Sequence, residues 1–305
     1  MDEPRRNRNH PSRPGRSPAS VWLTGQVCPR DQRKGRYLPA SNAHPAKMYP
    51  ATARKLITTY TRPGELVFDP MAGIGTTVIE AIHCGRHTVG VEYEPRWARL
   101  AAAGIDHAHA QGATGTGHVV RADARQLPDL LPARLRDRVC GRVALVVTSP
   151  PYGPSVHGNP HEYAGPGGRV AVQDRAYGHN PYELHPGNLA HADHDQLADG
   201  FTRILTGCLP LLAPGAHVAV TARPYRHRGE LVDIPGMVIA AATKAGLKLH
   251  DRCIPLLSGV RGGRIVRRPS FFQLAHIRAA HQRGDPQWLL QQEIALIFIH
   301  PGGNR

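Results

Sequence analysis

The segment LVVTSPPYGP, residues 145–154, carries an apolar run straight into a serine, two prolines and a tyrosine. Proline has no amide N–H, so Pro150 and Pro151 donate no hydrogen bond and stiffen the turn. What the turn offers instead is the Ser149 hydroxyl, the Pro150 carbonyl and the aromatic face of Tyr152. Such a set can stack on a flat ring and accept hydrogen bonds from it. Taken alone, S-P-P-Y also reads as a rigid turn that only caps a strand.

A second segment, LVFDPMAGIGTT at residues 66–77, runs an apolar strand into Asp69 and then a turn carrying Gly73 and Gly75. Glycines let backbone N–H groups approach a ligand, and a helix opening at Thr76 adds partial positive charge suited to a carboxylate or phosphate. The pattern departs from the dinucleotide fingerprint, because Val78 stands where the third glycine belongs. Glu92 follows Gly73 by 19 residues, near the spacing of an acid that holds ribose hydroxyls. Asp123 closes the next strand-like run. Any one acid at a strand end could be a helix N-cap. Three in order beside a glycine turn point to a ligand at the carboxyl ends of three adjacent strands.

The elements that must position these residues are legible as alternation. Short apolar runs lie at 66–68, 88–91, 119–120, 145–147, 218–220, 247–249 with 254–257, and 294–299. Continuous apolar runs suit strands buried on both faces. Helix-like stretches fall between them at 76–83, 96–109, 196–212 and 234–245. This alternation predicts a doubly wound α/β sheet. Residues 1–36 are rich in Arg, Pro and Ser and are expected to form a basic, disordered arm before a domain over 37–305. Two stretches break the alternation and read as insertions, 153–195 and 258–292.

Composition narrows the partners. The chain has 305 residues, 41% apolar, enough for a substantial core, and a formal net charge of +15 that favours polyanions, nucleic acid first. Its five cysteines form no C-x-x-C pair, which argues against zinc and disulfide scaffolds. No transmembrane run and no secretory h-region are seen, so a cytoplasmic location without membrane contact is expected.

Three motifs together carry a family resemblance. DPMAGIGTT resembles the S-adenosylmethionine (SAM) loop of the amino-methylating DNA methyltransferases, the N4-cytosine and N6-adenine family. HPAKMYP, residues 44–50, resembles the segment covering the methionine end of SAM, and TSPPY resembles the catalytic motif. The resemblance implies a Rossmann-like class I SAM-dependent methyltransferase fold with a seven-stranded doubly wound sheet. Its last strand would be antiparallel, a place that EIALIFIHP suits.

It further implies a cofactor site. Lys47 and Met48 would cover the methionine end of SAM, and Asp69, Pro70, Gly73, Gly75 and Thr76 would form its loop. Glu92 would bind the ribose and Tyr93 would flank the adenine. Asp123, beside Ala124, would accept a hydrogen bond from the adenine amino group. No metal is expected. Ser149, Pro150, Pro151 and Tyr152 would form the catalytic pocket.

The acceptor would be an exocyclic amine whose lone pair is delocalised into its ring, so acceptors on the N–H groups must localise that pair on nitrogen. A base inside a duplex would have to flip out to reach them. By resemblance, Ser before P-P-Y leans towards cytosine N4 in DNA, with adenine N6 second. A group that methylates the guanine amine of transfer RNA carries a similar P-P-Y-G, so RNA stands as the alternative. A small-molecule methyltransferase would explain the SAM site but not the charge, and a non-catalytic nucleic-acid binder would explain the charge but not the acids. A separate target-recognition domain is not evident.

Other residues are candidates for the substrate mouth. His157, His161, His179, His185, His191 and His194 crowd one insertion with Tyr163, Tyr177 and Tyr182. Arg261, Arg264, Arg267 and Arg268 read as a phosphate patch or a solvated charged loop, and Arg223, Arg226 and Arg228 could face the cleft.

Overall fold

The computed structural model describes residues 19–44, 46–151, 163–165, 168–170, 187–227, 230–268 and 271–303. The first strands are β1 (Val21–Trp22), β2 (Leu66–Asp69), β3 (His87–Glu92), β4 (Gly117–Arg121) and β5 (Val143–Thr148). Next come the short β6 (Tyr163–Gly165) and β7 (Gly168–Val170), then β8 (Leu212–Ala222), β9 (Tyr225–His227) and β10 (Glu230–Val232). The last are β11 (Lys248–Pro255), β12 (Gly259–Arg261), β13 (Arg264–Val266) and β14 (Ile294–Ile299). The helices are α1 (Pro29–Arg33), α2 (Pro50–Tyr60), α3 (Thr76–His83), α4 (Pro95–Ala110) and α5 (Ala133–Val139), followed by α6 (His194–Cys208), α7 (Ile234–Lys244) and α8 (Phe271–Gln282).

The main sheet has the order β1-β11-β14-β8-β5-β2-β3-β4. Strands β4, β3, β2, β5 and β8 are mutually parallel, whereas β14 runs antiparallel to both β8 and β11. The expected antiparallel last strand is therefore present. The apolar runs alternate between two covered faces. On β5, Val143 and Val146 join the core under α6 and α7, while Leu145 and Val147 face the core under α2. On β14, Leu296 and Phe298 take the first face and Ala295 and Ile297 the second. Each fully buried side chain of this size contributes about 1.5–3 kcal/mol of hydrophobic stabilisation.

Two expectations need correction. The arm does not extend to residue 36: β1 adds an eighth strand by pairing with β11, and α1 packs on the domain. Arg36, Tyr37 and Arg54 all bond the fully buried Glu80 of α3, at 2.6–3.0 Å, which ties this segment to the sheet's helical layer. Residues 1–18 lie outside the described residues. The helix-like stretch 196–212 is helical up to Leu211: α6 ends at Cys208, near Pro210, which has no N–H to continue the ladder, a 3-10 turn follows over Leu209–Leu211, and β8 starts at Leu212. The stretch 258–292 is not one long loop; it holds the β12–β13 hairpin and α8.

Candidate active site

The glycine turn is shaped by its backbone. Gly73 sits at φ +53°, and a Cβ there would lie 3.3 Å from His44 Nε2. Its N–H donates to Glu92 Oε2 at 2.7 Å, coupling the loop after β2 to the tip of β3. Gly75, at φ +79°, is the N-cap of α3, and a Cβ there would lie 3.0 Å from Ala101 Cβ of α4. It therefore serves helix packing, while its neighbours Ile74 and Thr76 line the cleft.

A cleft of about 480 Å³ opens along the carboxyl edge of the sheet. It brings together Lys47, Met48, Asp69, Pro70, Gly73, Thr76, Glu92, Tyr93, Asp123, Ala124, Ser149, Pro150 and Pro151. Tyr152 lies outside the described residues. So do His157, His161, His179, His185, Tyr177, Tyr182 and Arg228. His194 faces Tyr225, with Nε2 3.1 Å from its hydroxyl oxygen. Among the described residues no group of histidines, cysteines and acids could hold a metal ion. No described helix is long and apolar enough to cross a membrane.

The acids differ in their surroundings. Asp69, 4% exposed, accepts the Met71 amide at 3.0 Å, and burial pushes its carboxyl up to about 6. Glu92 accepts the amides of Gly73 and Glu94, yet burial, helped by the charges of Glu94 and Asp69, pushes it up to about 7. Asp123 is not a free acceptor. It caps the short turn after β4 and receives Arg125 through the backbone amide and two guanidinium nitrogens, as close as 2.6 Å. Burial alone would raise its carboxyl, but the Arg125 bonds hold it below its ordinary value. Any donor brought to this carboxylate must therefore share it with Arg125 or displace it.

The raised values of Asp69 and Glu92 have a consequence for stability. Both stand above the ordinary 3.8 and 4.5 of an unfolded chain. From about pH 4 to about pH 7 the folded protein binds more protons than the unfolded chain, so stability falls as pH rises through that window. In the absence of ligand, Glu92→Gln should gain in Tm relative to the parent between about pH 5 and about pH 8. Scanning calorimetry checks this; a Tm difference constant with pH would remove Glu92 from the titrating groups.

The cleft contains functional residues that sequence reasoning missed. Arg33, 5% exposed, donates through Nη2 to the Met48 carbonyl at 2.6 Å and the Thr76 hydroxyl at 3.2 Å. Its Nη1 is buried without a partner among the described residues. Burial lowers the Arg33 guanidinium from its usual value. Burial, then the Arg33 charge, lowers Lys47 to about 8. Lys47 donates to the carbonyls of Asn42 and His44, so it braces its own loop. Asn188 donates to Glu94 Oε1 at 2.6 Å, and Arg125 to the Gly187 carbonyl at 2.9 Å, closing the cleft on the β3–β4 side. No helical or strand periodicity marks 187–190 as part of a site. Arg33 was hidden inside a compositional arm.

The strand order with its antiparallel β14, the glycine loop and the acids at successive strand tips match the fold that the sequence resemblance implies. Residues 2–103 match the model of a family described as DNA methylase. Over these residues the chain is similar to that family. It is 30% identical over 103 residues to the DNA adenine methyltransferase YhdJ of Escherichia coli (strain K12), covering 33% of this chain and 32% of that one. A second chain of the same strain, YubD, is 33% identical over 73 residues, covering 23% and 32%. The chain thus spans about a third of the length of these curated relatives. The crystal structure of TrmN from Thermus thermophilus superposes with a TM-score of 0.47 at 18% identity, covering 88% of this chain and 53% of that one.

Proposed function

We propose that this protein transfers a methyl group from SAM to an exocyclic amine of a nucleic-acid base, cytosine N4 in DNA first and adenine N6 second. The observation that carries the reading is that Ser149, Pro150 and Pro151 share one cleft with Asp69, Glu92 and Asp123. The adenine activity in the name of YhdJ supports an amine acceptor in DNA. The residues present fit SAM: the unsatisfied Nη1 of buried Arg33 suits its carboxylate, Glu92 its ribose hydroxyls, and the cleft volume lies in the range for such ligands. When bound, SAM supplies an electrophilic methyl group on a sulfonium.

The chain's own residues do the rest. The Ser149 hydroxyl and the Pro150 carbonyl accept the N–H groups of the acceptor amine and turn its lone pair towards the methyl carbon. Acceptors fixed in advance on a stiff turn need no reorganisation during transfer. On β12–β13, Arg261 stands directly opposite Arg264 across a Gly262–Gly263 turn. Like charges placed so oppose each other, a cost that phosphate oxygens would remove.

The test is incubation with methyl-labelled SAM and separate DNA and RNA pools, followed by digestion to nucleosides and mass spectrometry. N4-methylcytosine or N6-methyladenine from DNA is expected. Label confined to RNA guanine would move the assignment to RNA, and label in neither pool would end the base-methylation reading.

A further inference from the structure

The strand order works as a ruler along the carboxyl edge of the sheet. Asp123, Glu92 and Asp69 mark β4, β3 and β2, and Ser149 marks β5. Past β5 the edge continues through β8 to β14. Thr148 pairs with Val220, so Thr221 stands level with Ser149; Ile294 pairs with Ala222, so Glu293 comes beside Arg223. Thr221, Arg223 and Glu293 all line the cleft. With strands spaced about 4.8 Å apart, Glu293 begins about 10 Å from Ser149 along the edge. That gap leaves room for a base whose amine is held at Ser149.

Glu293 is 9% exposed, and its Oε2 is buried with no hydrogen-bond partner among the described residues. Its own amide is satisfied by the Pro255 carbonyl, so the backbone is anchored and only the side chain is left over. A buried carboxyl oxygen without a partner destabilises a fold. Nothing in the cofactor half of the cleft uses it.

We propose that Glu293 receives the polar edge of the acceptor base and so determines which base is accepted. This inference rests on the base-methylation reading of the cleft. Cytosine and adenine each present a ring-nitrogen acceptor beside the exocyclic amine, whereas guanine presents a ring N–H on one side of its amine and a ring-nitrogen acceptor on the other. A protonated carboxyl donates to a ring nitrogen; a carboxylate accepts from guanine's ring N–H or from the amine itself. Burial raises the Glu293 carboxyl, with the Arg223 charge opposing.

Two variants test it in the full chain, Glu293→Leu and Glu293→Gln. Three readouts are taken: SAM affinity by calorimetry, kcat/KM for the nucleic acid that the wild type labels, and thermal unfolding. The expectation for Glu293→Leu is SAM affinity within about twofold, kcat/KM lower by about 10²-fold, and a Tm equal to or above that of the wild type. Glu293→Gln should keep more turnover and shift the ratio of labelled bases. Wild-type kcat/KM in Glu293→Leu would overturn the inference, as would a lowered Tm with SAM affinity falling in parallel, which marks a structural role. If the wild type binds SAM but labels no base, the base-methylation reading falls and takes this inference with it. If the wild type labels a base and both variants do so equally, only the Glu293 assignment falls.

Discussion

Ser149→Ala should slow methyl transfer by about 10²-fold or more while leaving SAM affinity unchanged. The hydroxyl stands one residue past β5, in the cleft but outside the pairing that holds the sheet. Removing one oxygen there costs no strand pairing and no core volume. What is lost is an acceptor whose bond to the amine strengthens as the lone pair localises. Such an interaction appears in kcat rather than KM. Single-turnover assays with saturating SAM and calorimetry on the same preparation provide the check. A rate within threefold of wild type would move the acceptor role to the Pro150 carbonyl alone.

Arg33→Met should weaken SAM binding by about 10²-fold. One charge-assisted hydrogen bond from a buried guanidinium contributes about 1.5–3 kcal/mol, and each 1.4 kcal/mol is tenfold in affinity. Arg33 also holds the Met48 carbonyl and the Thr76 hydroxyl, so its loss loosens the Met48 segment and the first turn of α3. Arg33→Lys should recover only part of the affinity, because an ammonium cannot bond two loops and a carboxylate in the same fork. Calorimetric titration of the folded variants decides it. Unchanged affinity in Arg33→Met would remove the carboxylate contact.

Much of this was legible in the sequence because it rests on local rules. The bounds of α3 follow from a glycine turn and an apolar run, and the paired faces of β5 and β14 follow from continuous apolar residues. Asp69, Glu92 and Ser149 were legible because ligands meet this architecture at strand tips. What escaped depends on long-range contacts. Val21 and Trp22 sit in a Pro- and Arg-rich neighbourhood, and only their pairing with Ile254 and Pro255 makes them a strand. Arg33 looks like one more solvated arginine until Thr76, more than forty positions on, closes over it. Asp123 lines the cleft, but its bond to Arg125, two positions along, could not be told from a free carboxylate in the sequence. Glu293 carries no local signal, since an acid before an apolar strand is common and only the register across β8 places it in the cleft.

Gly187 and Asn188 are fastened to the cleft by Arg125 and Glu94. Arg125 bonds the Asp123 carboxylate as well as the Gly187 carbonyl, so a ligand that competes for that carboxylate is coupled to the backbone at 187–188.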